Sequence, residues 1–137
     1  MARSTPRSAT STSWRRTPGS APANGVSAWR GDRLVGYVDA DPDNDDGLQP
    51  DDVNIGYAVH PWARGSGVAV EAVALICGFI RDHALGSRAA IRVEPENEAS
   101  IRVAEKAGFS RLDDFVSATD TNRDGSAVVL RLYVREL

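Results

Sequence analysis

One run constrains this chain more than any other: VNIGYAVHPWARGSGVAVEAVALICGFIRDH, beginning at Val53. Val53, Ile55, Tyr57 and Val59 recur at period two, which puts them on one face of a strand. His60-Pro61 ends that strand, because proline has no amide hydrogen to give to a ladder. Arg64-Gly65-Ser66-Gly67 reads as a tight turn. From about Gly67 to about His83 the chain is apolar nearly all round (Val68, Val70, Val73, Leu75, Ile76, Phe79, Ile80), so this helix is expected to be heavily buried. Gly86 fits its stop. AAIRVEP then reads as another strand, with Ile91 and Val93 on one face. Strand, glycine turn, helix and strand make a right-handed parallel crossover.

The flanking sequence extends this unit. VSAWR and LVGYVDA are short strand-like runs around Gly31-Asp32, a turn pair, and read as a hairpin. DPDNDDGLQPDD is an acidic loop of turn formers, read as a solvated turn. Glu96 to Lys106 is a short helix closed by Ala107-Gly108. GFSRLDDFV and AVVLRLYVREL are two last strands around a polar loop, Ala118 to Ser126. The expected order is β-β-β-α-β-α-β-β, an α/β fold with a mixed sheet. Residues 1–25 differ in kind. They are rich in Ser, Thr, Pro, Ala and Arg, contain no acid and show no apolar period, so they are expected to lack structure or to be an aberrant start. Such a start also resembles an organelle transit peptide, but no amphipathic face supports that. Residues 26–137 are expected to form the domain.

Composition narrows the function classes. The formal net charge of -3 among 137 residues argues against a general nucleic-acid binder. A single cysteine, Cys77, excludes an intramolecular disulfide framework and a multi-cysteine zinc site. It lies inside the apolar helix and reads as core. No apolar run approaches the roughly 20 residues that span a bilayer. A soluble cytoplasmic protein, bound neither to membrane nor to nucleic acid, is expected.

The glycine turn is where chemistry enters. A helix start leaves amide hydrogens unpaired, and its dipole favours negative charge. Small residues let a phosphate approach that backbone, and Arg64 adds a charge. A pyrophosphate cradle and a turn without a ligand are both consistent with these residues alone. No Walker lysine follows, and the third glycine and distal acid of a dinucleotide fingerprint are missing.

Two blocks carry a family resemblance. Arg64-x-x-Gly67-x-Ala69 follows a strand and Pro61. Asn97, Ser100 and Glu105-Lys106-Ala107-Gly108-Phe109 form the second block. Together, in this order and on these elements, they resemble the GCN5-related N-acetyltransferase (GNAT) superfamily, in the branch of the ribosomal-protein N-terminal acetyltransferases. The resemblance covers roughly Val26 to Leu137. It implies a mixed sheet with a splayed parallel strand pair and a β-α-β crossover for acetyl-CoA. Ala58, Val59 and His60 would pair with the pantetheine arm. Arg64, Gly65, Ser66, Gly67, Val68 and Ala69 would hold the pyrophosphate, and Asn97 and Ser100 would lie near the arm. A bound primary amine, on a protein N-terminus or a small molecule, would attack the thioester directly. A backbone N–H near Val59 would stabilise the oxyanion. No metal is implied.

The sequence departs from the family pattern at three places. Ala104 stands where many members have the tyrosine that protonates the leaving thiolate; Ser100 or water would substitute. Asn54 stands where a glutamate often helps accept the amine's proton. The usual first strand and two helices that wall the acceptor site are not apparent before Val26, so the fold is expected to be N-terminally truncated. A silent acyl-CoA-binding module, or an inactive truncated product, is therefore the alternative to an enzyme. A sheet edge left open in that way would favour a homodimer. His60, at the strand end, is a candidate general base or a solvent-facing histidine. His83 reads as a helix-end cation. Asp120-x-Asn122-x-Asp124-Gly125 imitates half of a calcium loop but lacks its terminal glutamate, Arg131 standing there. Trp29 and Trp62 read as packing residues.

Overall fold

A computed structural model describes residues 11–16 and 24–137. Gly31 takes φ 61° and turns the chain between β2 (Gly25–Arg30) and β3 (Arg33–Asp41), the expected hairpin. The acidic loop leads to β4 (Asp52–Val59), a 3-10 turn (Pro61–Ala63) and α1 (Val68–Asp82). Then come β5 (Arg88–Val93), α2 (Glu98–Lys106), β6 (Ser110–Thr121) and β7 (Ala127–Glu136). From β2 onward the order of elements is the one expected. With β1 (Ser13–Arg16) the strands form one sheet in the order β1-β2-β3-β4-β5-β7-β6. Every neighbouring pair is antiparallel except β4 and β5, which are parallel.

Both helices pack on one face. Val38, Val53, Ile55, Ala89, Ile91 and Val93 of the sheet meet Val73, Ile76, Ile80 and Ala104 of the helices in a continuous core. The strand alternation explains the division. Ile55 and Val53 point to the helices, whereas Asn54, Gly56 and Ala58 point to the other face. On that other face Ala90, Leu132 and Val134 are covered by Leu48 and Phe115. On that face the β1–β4 half carries no helix among the described residues. None of the described helices is long and apolar enough to cross a membrane.

Four expectations need correction. First, Ser13–Arg16 was expected to lack structure, yet it pairs with β2 from Ser13↔Trp29 to Arg16↔Val26. Trp14 anchors it: its Nε1 donates to Glu71 Oε1 at 3.0 Å and its ring packs against the core. The remaining positions of that segment, 1–10 and 17–23, lie outside the described residues. Second, α1 was expected to be heavily buried, yet it buries one face (Val68, Ala72, Val73, Ile76, Cys77 and Ile80) and leaves Leu75 41% exposed. Third, Gly86 does not stop α1. Ala84 does, at φ 50°, with Leu85 N–H donating to Ile80 O and Ala84 N–H to Arg81 O, the Schellman pattern. Gly86 is needed for close packing instead: a Cβ there would lie 2.6 Å from Asp51 O. Fourth, the acidic loop is not merely solvated. Asp46 and Asp52 are 4% and 2% exposed.

These two aspartates fix the loop to the sheet. Asp52 accepts from Arg88 Nε at 2.7 Å and Nη2 at 2.8 Å, and from the Gln49 amide. Asp46 pairs with Arg92 and accepts from Ser117 Oγ at 2.6 Å and Ala118 N at 2.7 Å. Burial pushes both carboxyls up, but these hydrogen bonds and the arginine charges outweigh it and hold both below the usual aspartate range.

Candidate functional site

The parallel pairing of β4 with β5 stops early. Asp52↔Arg88, Val53↔Ala89 and Asn54↔Ala90 are in register, and beyond Asn54 the strands part. His60 N–H donates to Val35 O at 2.7 Å, toward β3. Backbone groups alternate along a strand, so those of Val59 and Tyr57 face the opening. Arg64 Nε donating to Val59 O at 3.3 Å on that side agrees. A cleft of about 620 Å³ fills the opening, within the roughly 300–1,000 Å³ common for ligand sites. Tyr57, Ala58 and Val59 at the end of β4 line it, between the glycine turn and α2.

The glycine turn forms one wall. Gly65 and Gly67 take φ 82° and 78°, a left-handed backbone that favours glycine. Gly67 caps α1 with no side-chain hydrogen bond. The first helical bond runs from Glu71 N to Gly67 O, so the amides of Val68, Ala69 and Val70 have no helical acceptor. All three residues line the cleft, as does Arg64. Glycine at the cap leaves this positive end open, with amides and dipole aimed at one place.

α2 forms the opposite wall. Asn97 caps it, its Oδ1 accepting from Ser100 N at 3.2 Å. Ala99, Arg102, Val103 and Lys106 recur at helical spacing on the cleft side with Ser100. The Tyr57 hydroxyl is buried and makes no geometrically sound hydrogen bond among the described residues, although Ser100 is near enough to act on it. Burial raises the Tyr57 pKa, and the Ser100 hydroxyl opposes that to a lesser degree.

The residues expected from sequence divide accordingly. Ala58, Val59, Arg64, Gly65, Gly67, Val68, Ala69, Asn97 and Ser100 line the one cleft. His60 and Ser66 do not. His60 is exposed and its amide is taken by Val35, which leaves the Val59 N–H for the opening. Ser66 Oγ donates to Ala63 O at 2.7 Å and accepts from Arg30 Nη2 at 2.8 Å, so it braces the turn from behind. Ala104 is fully buried in the core and faces away from the cleft. Asn54 Oδ1 accepts from Arg92 Nε at 3.1 Å on the opposite face. Cys77 is buried, and burial, the larger effect against nearby Arg135, raises its thiol pKa. Trp62 is 41% exposed beneath Arg33, whose guanidinium lies 3.9 Å from its ring centre. Sequence reasoning missed Tyr57 as a cleft residue, Arg102, Lys106 and Arg30. The spacing of Arg102 and Lys106 from Ala99 was a usable signal; Arg30 had none.

The fold has many known counterparts. The chain superposes on yncA of Salmonella typhimurium, solved with its cofactor acetyl-CoA, with a TM-score of 0.69 and 19% identity. The match covers 82% of this chain and 64% of that one. Ribosomal-protein-alanine N-acetyltransferase from Brucella melitensis gives 0.69 and 21%, covering 82% and 68%. The microcin C7 self-immunity acetyltransferase MccE, in complex with acetyl-CoA and AMP, gives 0.65 and 17%, covering 82% and 60%. The chain thus spans less than two thirds of the length of yncA and MccE. No curated protein matches it by sequence at a significant level. Residues 4–110 match the family model described as acetyltransferase (GNAT) domain, which is most of the chain, and the protein belongs to the GNAT acetyltransferase family.

Proposed function

We propose that this chain is an N-acetyltransferase that moves the acetyl group of acetyl-CoA to a primary amine, on a protein N-terminus or a small molecule. One observation carries the reading: an uncapped helix N-terminus opens onto the cleft at the end of β4, where its pairing with β5 has stopped. The free amides of Val68 to Val70 and the Arg64 guanidinium suit a pyrophosphate, and Arg102 and Lys106 add positive charge opposite. The cleft-facing backbone of Tyr57 and Val59 offers an extended arm the hydrogen bonds that β5 does not take. When bound, acetyl-CoA supplies an acyl group activated as a thioester. The Val59 N–H then stands where a developing oxyanion needs a donor. The Ser100 and Tyr57 hydroxyls are the protic groups beside a departing sulfur.

The test is the melting temperature with and without acetyl-CoA. A ligand at 100 times its Kd stabilises the native state by about 2.7 kcal/mol. A clear upward shift is expected in the wild type. Gly67→Glu, which sets a carboxylate at the anion-binding end of α1, should abolish it. An unchanged wild-type melt would refute the cofactor assignment. A second reading, a silent acyl-CoA-binding module, is favoured by Ala104 in the core and Asn54 held by Arg92. Release of free thiol with any amine would exclude it.

A further inference from the structure

The proposed transfer requires a group that takes a proton from the attacking nitrogen, and among the described residues that line the cleft there is no carboxylate or imidazole. The open face of the sheet holds one. Asp39 of β3 lies opposite Gly56 of β4, and Tyr37 lies opposite Ala58, which lines the cleft. The Asp39 carboxylate leans over Gly56: a Cβ at residue 56 would fall 2.9 Å from Oδ1. Glycine at this strand position therefore leaves the carboxylate room over β4, one cross-strand pair from Ala58. Asp39 makes no ion pair among the described residues, unlike Asp46 and Asp52.

We infer that Asp39 receives a cationic primary amine on the open face and is the base of the acetyl transfer. The inference rests on the acetyltransferase reading above. The bound ammonium first gives one proton to water by way of Asp39, which leaves the amine neutral; its nitrogen lone pair then forms the N–C bond to the acetyl carbon. The C–S bond breaks with its electron pair on sulfur, leaving coenzyme A as the thiolate, which solvent protonates. The nitrogen becomes acidic as the bond forms, and its proton passes to an Asp39 oxygen, from which water removes it.

The surroundings suit this role. Half-burial raises the Asp39 pKa, the Gly56 backbone lowers it less, and Asp41 raises it again. Among the described residues, the charged and titratable groups on this face are Tyr37 and Asp41 on its own strand, Arg15 on β1, His60 beyond the end of β4, the Asp52–Arg88 pair at the start of β4 and β5, and Arg92 on β5, which is committed to Asp46 of the acidic loop and to Asn54. β2 contributes Gly25 and Ser27, and β4 contributes Asn54, Gly56 and Ala58, none of them titratable. A carboxylate with a raised pKa and no cation is a better base than an ordinary one, and its charge attracts an ammonium.

The experiment compares wild type, Asp39→Asn and Gly56→Ala, using n-butylamine and an alanine-initiated hexapeptide as acceptors. Melting curves with acetyl-CoA run alongside. Asp39→Asn should lower kcat by about 100-fold or more and remove an acid limb expected in the wild type above the ordinary aspartate value. Gly56→Ala, which only pushes the end of a flexible side chain aside, should melt close to wild type yet lose about tenfold in kcat. All three should keep the acetyl-CoA melting shift. Turnover with the peptide alone would place the acceptor on a protein N-terminus; turnover with butylamine alone would place it on small amines. Either variant-sensitive result supports Asp39. Both variants turning over within threefold of wild type, with the same limb, would overturn it. So would a wild type that binds acetyl-CoA but acetylates neither amine. Loss of the wild-type melting shift would instead bring down the underlying reading.

Discussion

Asp46→Asn should be among the most damaging single changes at a residue that does not line the cleft. The Asp46 side chain is 2% exposed and that of its partner Arg92 is 13% exposed. The carboxylate also accepts from Ser117 Oγ, Ala118 N and Thr119 Oγ1. An asparagine keeps the volume but turns two N–H donors toward groups that are themselves donors, and it leaves Arg92 with only Asn54 Oδ1. Removing one partner of a buried pair costs about 3–5 kcal/mol, because the remaining charge has lost its hydration and gained nothing. Unfolding entropy near about 2.1 cal/mol/K per residue converts that to a fall in Tm of about 10–17 °C for a chain of this length. The pH dependence has a definite sign. The folded carboxyl titrates below its unfolded value of about 3.9. Its stabilisation is therefore complete above the unfolded value and lost as pH falls through the lowered folded one. Asp52 titrates in the same direction, so the difference between the wild-type and Asp46→Asn curves isolates Asp46. Urea melts across pH 2 to 7 measure it. A Tm loss under about 3 °C, or two parallel curves through the acid range, would refute the anchoring argument.

Two further outcomes follow from single contacts. Ala84→Gly should raise stability by about 1 kcal/mol, since Ala84 holds a left-handed backbone at the end of α1 that glycine adopts without strain; chemical denaturation checks it, and a loss of stability would contradict the Schellman assignment. Arg30→Leu should weaken acetyl-CoA binding about tenfold, the worth of one charge-assisted hydrogen bond, because it frees Ser66 and the turn that Ser66 braces; titration calorimetry measures it, and unchanged affinity would show that the brace is dispensable.

The parts of this fold that sequence reveals are those whose signals are local. Val53, Ile55 and Tyr57 alternate, α1 is long and apolar, and Gly67 sits where a cap must be, so strand, turn and helix were all legible within one run. The family blocks added the pairing of the α1 turn with α2. What could not be read depends on residues far apart or on which way a side chain turns. Ser117 meets Asp46 across 71 positions and Arg30 meets Ser66 across 36, with no pattern linking either pair. Ser66 and Gly67 are neighbours, yet one braces the turn from behind and the other opens it, because a tight turn presents successive residues to opposite sides. Ser13–Arg16 hid within a composition typical of unstructured chain; one tryptophan reaching Glu71 is enough to seat a short edge strand.

The position of the cleft is itself a consequence of where the charges were placed. Asp52 faces Arg88 directly across the parallel pair, and Asn54 reaches Arg92 diagonally. These contacts hold the first three residues of β4 against β5. Past Asn54 the outward residues of β4 are Gly56 and Ala58, which have nothing with which to hold a neighbouring strand, and Pro61 then leads the chain away. The splay therefore begins at the last polar tie. The acidic loop that supplies Asp46 and Asp52 closes one end of the strand pair and thereby defines the opening at the other. Asp39, on the next strand, makes no ion pair among the described residues, and both arginines of β5 are taken by Asp46 and Asp52. Loosening either aspartate–arginine pair should then cost stability and also widen the gap that the proposed cofactor must span, so acetyl-CoA affinity and Tm should fall together in Asp52→Asn while Ala84→Gly moves Tm alone.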